Sequence, residues 1–209
     1  MSSIRLVAVL AVCAAVGSGR ISAEAQPQAA RLAHIEGAVY LDDRLVSAPL
    51  KAPAFRDSAT IRTVDGRAVV ALKRGGALVL NEHTQVRVLA NGVYNFNRVE
   101  VIEGTAVLIS GASAPAVSCR NDVKLSLAGA FRFDVQASPP DGRATCRFRV
   151  YDGAAAVTLA SLVLALRSGE AIVLDPTCGD MSPTTTFATN QLDAFDRWSR
   201  EQATIADRH

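Results

Sequence analysis

Short apolar runs, each introduced by a glycine turn, recur along the chain. Residues 65–72 read as a glycine turn, a polar residue, an alanine and an apolar run. The same order returns at residues 104–109 and 169–174, and residues 153–157 repeat it with alanine at the polar position. Short strands separated by glycine turns at nearly regular spacing are typical of all-β proteins built from stacked turn-and-strand units. We therefore predict a mainly β fold of stacked short strands, solenoid-like or sandwich-like.

Two segments in the second half of the chain alternate strictly between apolar and polar residues, as half-buried strands do. They cover residues 131–135 and 146–150. The segment between them at 138–142, Ser-Pro-Pro-Asp-Gly, is a strong turn signal. The pattern predicts a long hairpin whose phenylalanines face inward.

The polar positions of this hairpin form a candidate interaction surface. With the phenylalanines inward, the alternation places Arg132, Arg147 and Arg149 on the outer face. One interpretation is a basic strip that binds an acidic ligand or a glycan. The other is an ordinary solvated face, since Asp134 would neutralise part of the charge. The alternation is compatible with both.

The last element has a helical period. Within residues 190–201 the apolar side chains are spaced three apart, with charged residues between them: Leu192, Phe195 and Trp198. This pattern predicts an amphipathic helix. We expect Asn190, or Thr189 before it, to cap the helix, and the tail after Ala203 to fray. An isolated helix of this length is marginal in water, so its stripe needs a partner surface. It either covers an open end of the chain's own β stack as a lid or docks into another protein through Trp198.

The first 25 residues have the layout of an export signal. Arg5 supplies a positive start, residues 6–16 are apolar, and Ala23-Glu24-Ala25 is a small-x-small cleavage site. We therefore expect cleavage after Ala25 and a periplasmic or secreted protein. The alternative is an uncleaved N-terminal anchor.

Charge and hydropathy limit the partners of the mature chain. Removal of residues 1–25 takes away two arginines and one glutamate, so the formal net charge falls from +2 to +1. This charge is too weak for a generic binder of nucleic acid or membrane surfaces. No later apolar stretch reaches the roughly 20 residues that span a bilayer. We expect no transmembrane span after signal cleavage.

Three cysteines remain after cleavage, and none has the spacing of metal ligands. An oxidising compartment favours one disulfide among them. Cys119 and Cys146 each share strand parity with inward apolar residues, so we predict that these two are paired. Cys178 lies in a turn-like sequence and is then the odd thiol.

Candidates for catalysis are few. The three histidines, His34, His83 and His209, are isolated from one another in sequence. No serine has the G-x-S-x-G context of an activated nucleophile. We predict a protein that is not an enzyme, with no catalytic residue, metal site or cofactor. A position of His83 beside two carboxylates in a cleft would favour a hydrolase, whereas an open turn would not.

The segment from residue 37 to about residue 109 resembles a FecR domain, the periplasmic domain of the iron-dicitrate regulator family. The resemblance rests on a series of short motifs: Thr63-x-Asp65-Gly66-x-Ala68-Val69-x-x-Leu72, Gly76-x-Leu78-x-Leu80, Val86-x-Val88, Val99-x-Val101 and Gly104-x-Ala106-x-Leu108. It implies a compact, solenoid-like stack of strands and a role in envelope sensing or protein contact. Classical members also carry a cytoplasmic segment that acts on a sigma factor and a membrane helix. This sequence shows only the signal peptide, so we do not expect direct control of a sigma factor.

These observations divide the chain at the small-residue hinge 111–115. The predicted parts are a signal peptide (1–25), a polar lead-in with the entry to the first strand (26–35), a FecR-like β domain (36–112), a second β subdomain that continues the stack (113–186), and a C-terminal helix with its tail (187–209).

The leading hypothesis for function is a non-enzymatic exported protein that binds another envelope protein in a signalling or scaffolding role. The exposed edge strands of an open β stack supply a physical mechanism, since a partner strand can add to them. The alternative is a structural surface module that binds polysaccharide. It would need an exposed aromatic platform, for which the candidates are Tyr40, Tyr94, Phe96 and Tyr151.

Overall fold

The computed structural model describes residues 30–46, 54–55, 58–72, 76–91, 95–110, 116–119, 123–136, 145–159, 162–175 and 180–206. Over these ranges the chain forms sixteen strands and one helix. In chain order they are β1 (Ala30–Glu36), β2 (Val39–Leu41), β3 (Arg44–Val46), β4 (Ala54–Phe55), β5 (Ser58–Thr63), β6 (Arg67–Leu72), β7 (Gly76–Leu80), β8 (Gln85–Asn91), β9 (Asn95–Ser110), β10 (Ala116–Cys119), β11 (Val123–Gln136), β12 (Thr145–Leu159), β13 (Leu162–Arg167), β14 (Glu170–Asp175), β15 (Asp180–Met181), β16 (Thr185–Thr186) and α1 (Ala194–Ala206). The predicted mainly β fold with one C-terminal helix is confirmed.

The strands form one continuous sheet that folds over into two layers. Layer one runs β4–β1–β6–β7–β9–β11–β12–β14, with β15 and β16 on its far edge. Layer two runs β3–β2–β5–β8–β9–β10–β11–β12–β13. The long strands β9, β11 and β12 belong to both layers, because each bends midway. All described pairings are antiparallel except the one between β9 and β10.

Glycines mark the points where the chain passes from one layer to the other. Gly104 bends β9 and Gly129 bends β11, with φ angles of 88° and 139°. A Cβ atom on Gly129 would lie 2.1 Å from the carbonyl oxygen of Asp152, so no other residue fits there. The recurring glycines of the sequence therefore mark the places where the chain passes from one layer to the other. They do not mark turns within a single flat sheet.

Both layers point their apolar side chains into one core. Layer one contributes a cluster of fully buried phenylalanines, with ring centroids 5.9 Å apart for Phe131 and Phe148 and 5.1 Å for Phe133 and Phe148. A disulfide between Cys119 of β10 and Cys146 of β12 connects the two layers across this core, with a Cα–Cα distance of 6.4 Å. Cys178 lies outside the described residues.

The apolar runs of β6 and β7 do not alternate, because both faces of these strands are buried. Ala68 and Val70 point into the core between the layers. Val69 and Val79 point the other way, into a second apolar cluster under α1. A strand covered on both sides needs apolar residues at every position. The run that the sequence shows at 68–72 is thus explained by the helix.

The helix begins and ends later than its sequence pattern predicts. It starts at Ala194, and Asp193 is its N-cap rather than Asn190 or Thr189. It continues to Ala206, which is buried, so the fraying expected after Ala203 is wrong for residues 204–206, whereas residues 207–209 lie outside the described part of the chain. It lies across the outer face of layer one, over β6, β7 and β9. The lid interpretation was right that the helix packs on the chain's own sheet, but the helix covers a face and not an open end.

The two predicted β parts share one core and are directly paired. β11 pairs with β9 at seven positions, and the predicted hairpin of β11 and β12 extends over fourteen. The hinge at 111–115 lies outside the described residues, and the domain boundaries stay a prediction.

Candidate functional site

A cluster of charged side chains lies on the outer face of layer one where the helix begins. Its sheet half is built on β11 and β12, where Arg132 stands opposite Arg149 in the antiparallel register. Nε of Arg132 donates to Oδ1 of Asp134 at 2.9 Å, and Nη2 of Arg149 donates to the other oxygen of that carboxylate at 2.6 Å. The hydroxyl of Thr105 on β9 also donates to Asp134, at 3.0 Å. Asp134 therefore binds both arginines on the sheet surface.

The helix half of the cluster is a reciprocal cap. The backbone N–H of Asp196 donates to Oδ1 of Asp193 at 2.8 Å, and the N–H of Asp193 donates to Oδ2 of Asp196 at 3.3 Å. This is the geometry of a capping box with an aspartate in place of the usual glutamate. Both carboxylates also lie at the positive end of the helix dipole, which stabilises them.

One arginine joins the two halves. Nη1 of Arg132 donates to Asp193 at 2.5 Å and to Asp196 at 3.0 Å. Tyr151 of β12 adds a third contact between the halves, since its hydroxyl donates to Oδ2 of Asp196 at 2.8 Å. Arg132, Asp196 and Tyr151 are all buried. The start of the helix is thus held to the sheet by charge-assisted hydrogen bonds that are buried at Asp196 and partly exposed at Asp193.

The surroundings shift the pKa of several members of the cluster. Burial alone would lower the pKa of Arg132, but the neighbouring carboxylates, Asp134 first, outweigh burial and raise it. Burial and then the hydrogen bond to Asp196 raise the pKa of Tyr151 to about 12. Burial opposes ionisation of Asp193, yet the hydrogen bond from Arg132 and those from the backbone lower its pKa. Every shift favours the protonation state that keeps the cluster intact.

The chemistry of this cluster is that of a clamp. Nucleophilic or acid–base catalysis needs a group with a free lone pair aimed at a space for substrate. The carboxylates here are bound to arginine, tyrosine or backbone donors. Two guanidinium groups face three carboxylates, so the cluster carries a formal charge of −1 and does not form a basic strip. We interpret it as the device that fixes the helix to the sheet.

The predicted interaction residues do not form one exposed surface. Arg132 is buried under the helix, so the expectation of a solvent-exposed arginine face is wrong for this residue. Arg149 is partly buried against Asp134, and Arg147 is exposed on the same strand. Trp198 lies elsewhere, near β1. For Arg147 and Trp198 a role in partner binding stays a prediction.

Trp198 is half-buried and surrounded by polar side chains of the sheet. Its indole N–H donates to Oε1 of Glu36 at 3.2 Å, and the guanidinium of Arg67 lies 5.2 Å from its ring centroid. The ring of His34 lies 6.3 Å away. The neighbouring Phe195 is the residue of the predicted stripe that is fully enclosed. Leu192 precedes the helix.

The described histidines are not arranged for catalysis. His83 lies at an exposed turn with a φ of 52°, and its Nε2 is 3.9 Å from a carboxylate oxygen of the equally exposed Asp65. This is the open turn that argues against a hydrolase site. Over the described ranges no three histidine, cysteine or acidic side chains converge as metal ligands. Within the same ranges no helix is long and apolar enough to cross a bilayer. His209 lies outside them.

Sequence reasoning missed the acidic half of the clamp. Asp193 and Asp196 were visible as charged residues of a predicted helix, and their spacing of three is a signal for a reciprocal cap. Nothing local connects them to Arg132, which lies 64 residues before Asp196.

Known structures share this fold. Two crystal structures of a "putative anti-sigma factor" from Parabacteroides distasonis ATCC 8503 superpose with TM-scores of 0.51 and 0.52 at 19% sequence identity. The matches cover 64% and 63% of this chain and 62% and 61% of the other. The chain thus spans about three fifths of those proteins, and at this identity the likeness establishes the fold alone. No protein-family model and no curated protein matches the chain.

Proposed function

We propose that this protein is an exported, FecR-like domain that binds another envelope protein in a signalling or scaffolding role and catalyses no reaction. The observation that carries the proposal is the fold shared with the "putative anti-sigma factor" structures, whose name points to a protein partner. Fold likeness alone does not assign function, so the site must agree with it. It does, because the most elaborate cluster of charged residues described is a clamp whose groups bind one another.

The FecR-like motifs fit the fold in which they are found. Gly66 and Gly104 both lie where the chain passes between the layers, and a Cβ atom on Gly66 would come within 2.3 Å of the carbonyl oxygen of Glu36. The alternating valines of the motif series, such as Val86 and Val99, are fully buried in the core. These glycine and valine positions of the motifs therefore build the scaffold. This supports a resemblance of architecture and a function carried by surfaces.

Polysaccharide binding is less well supported. Flat aromatic faces in contact with solvent would be needed, but Tyr151 is buried and the ring of Tyr40 is covered by the guanidinium of Arg62 at 4.4 Å. Tyr94 and the side chain of Phe96 lie outside the described part of the chain. Neither described tyrosine offers a platform.

Export and partner contact can be tested in one experiment. The protein would carry a C-terminal tag and a photoreactive amino acid at Arg147, which is exposed beside the clamp. We expect the tagged protein in the envelope fraction, an N-terminus at Gln26, and one specific crosslinked envelope protein. The matched control places the same photoreactive group at Thr204, exposed on the last turns of the helix.

Two outcomes would contradict the proposal. A protein found in the cytoplasm with Met1 intact would remove the export assignment. Export with correct processing but retention on a polysaccharide column, with no protein crosslink from Arg147, would favour the surface module instead.

A further inference from the structure

Each layer of the sheet has two edges, and three of the four edges are built in ways that discourage pairing with another strand. In layer one, the two-residue β4 covers only residues 30–31 of β1, and the rest of that edge carries a bulge between Leu32 and His34. On the other side, the two-residue strands β15 and β16 occupy the outer side of β14, with Pro183 between them. In layer two, β3 has three residues and begins with the exposed Arg44. Short, interrupted or charged edges are the usual protection against strand addition.

The fourth edge, β13, has none of these protections. It is six residues long and pairs with β12 in regular register at every position. Residues 162–166 are all apolar, with neither proline nor a bulge, and the only charge is Arg167 at the end. The side chain of Val163 is 63% exposed. Within the described part of the chain β12 is the only strand paired with β13, so its other side presents a row of backbone donors and acceptors.

We propose that β13 pairs antiparallel with β13 of a second copy of this chain about a two-fold axis. Pairing centred on Leu164 places Val163 opposite Ala165 of the partner subunit and Leu162 opposite Leu166 of the partner subunit. Every pair then joins an apolar residue to an apolar residue, and corresponding faces of the two strands stay on the same side of the joined sheet.

The sequence of β13 favours its own copy over a foreign segment. A partner selected by charge would need a charged residue within the strand, and β13 has none before Arg167. Centred on Leu164, the two Arg167 side chains fall at opposite ends of the interface and do not repel each other. A two-fold axis also gives a closed dimer and leaves no further edge of this type to propagate the association.

Sedimentation equilibrium of the protein purified from the compartment where it accumulates tests this pairing. A six-residue strand interface is at the small end of specific interfaces, so we expect a weak, concentration-dependent dimer. Val163→Lys introduces a charge in the middle of the edge at an exposed position. It should weaken dimerisation at least about tenfold, the effect of losing about 1.4 kcal/mol.

Leu45→Lys is the matched control. Leu45 is 59% exposed and also lies on an edge strand of layer two, so its substitution adds the same charge to the same sheet at the opposite edge. We expect this variant to dimerise like the parent protein. Thermal unfolding of both variants establishes that they are folded.

Amide hydrogen exchange on the parent protein decides the question independently of any variant. Of the amides of residues 162–167, those that point away from β12 should become more protected as protein concentration rises, whereas those of β3 should not change. A monomer at every concentration would overturn the proposal, as would a dimer that persists in Val163→Lys or is lost equally in Leu45→Lys. Protection of β13 that appears only when a different envelope protein is added would assign the edge to that protein and also overturn it.

Discussion

Nη1 of Arg132 lies 3.0 Å from Oδ1 of Asp196, and this contact connects the middle of β11 to the first turn of α1. The two side chains are 11% and 4% exposed. A buried ion pair of this kind adds little stability compared with an apolar pair of the same shape, but removal of one partner leaves the other charge buried and uncompensated. The clamp therefore makes the position of the helix depend strongly on a single arginine.

Arg132→Ala should lower the free energy of unfolding by about 3–5 kcal/mol, the usual cost of breaking a buried ion pair. Urea denaturation measures the change. The control is Arg147→Ala on the neighbouring strand, where the exposed side chain should change stability by no more than about 0.5 kcal/mol. Equal losses in the two variants would mean that Arg132 contributes only through its place in the strand.

Tyr151 should control the alkaline stability of the protein. Its folded pKa is raised from 10.0 to about 12, so the folded state keeps a proton that the unfolded state loses between these values. The stability contributed by Tyr151 is present below pH 10 and is lost as the pH rises towards 12. Ultraviolet titration of tyrosinate should show one late step, and Tyr151→Phe should abolish that step and leave the others unchanged. A late step that persists in the variant would belong to another tyrosine.

Asp193 should contribute stability that is lost as the pH falls, whereas the contribution of Tyr151 is lost as the pH rises. Its pKa is lowered on folding, so its charge stabilises the protein above the unfolded pKa of about 4 and this contribution is lost as the pH falls through the folded pKa. Asp193→Asn keeps one oxygen for the N-cap but removes the charge and replaces the oxygen that accepts from Arg132 with an amide NH2 group. The variant should be less stable than the parent at neutral pH, and the difference should close in acid. Urea midpoints at both pH values check this, and a constant gap would exclude the charge as its origin.

Phe195 rather than Trp198 should carry the larger share of helix docking. Phe195 is 4% exposed and stands in the cluster with Val69, Val79 and Val107, whereas Trp198 is half-buried and partly polar in its contacts. Phe195→Ala should cost about 3–5 kcal/mol, and Trp198→Ala should cost less because a smaller part of its surface is enclosed. Thermal and urea unfolding of the two variants rank the stability that each one loses. The reverse order would place the centre of the helix contact at Trp198.

Substitution by alanine should destabilise the protein more at Gly129 than at Gly169. At Gly129 a Cβ atom would collide with the backbone of Asp152, whereas at Gly169 the nearest atom would be 3.4 Å away. Both glycines have positive φ angles, so alanine adds strain of about 1–2 kcal/mol at either site. Gly129→Ala should cost at least a further 1–3 kcal/mol for the clash. Equal costs in urea denaturation would show that the bend at Gly129 relaxes.

The short-range features of this protein could be predicted from the sequence. Alternation at 131–135 and 146–150 indicates strands because side chains of a strand point to alternate faces, and the apolar spacing around Phe195 indicates a helix. Glycine at 104, which opens one of the recurring apolar runs, marks a sharp bend because only glycine adopts that φ angle without strain. The sequence patterns did not decide between a solenoid and a sandwich, because they do not show which strands pair.

The tertiary structure alone decided what covers each face. The sequence showed that Arg132 and Arg149 point away from the phenylalanines, but not that a helix some 60 residues later buries Arg132 and supplies two carboxylates to it. In the same way, the apolar run of β13 was visible in the sequence, yet its place at an edge depends on its pairing with β12 alone among the described strands. The physical reason is the same in both cases. Local periodicity records which side of an element is apolar, whereas burial, ion pairing and an open edge are set by segments brought together from distant parts of the chain.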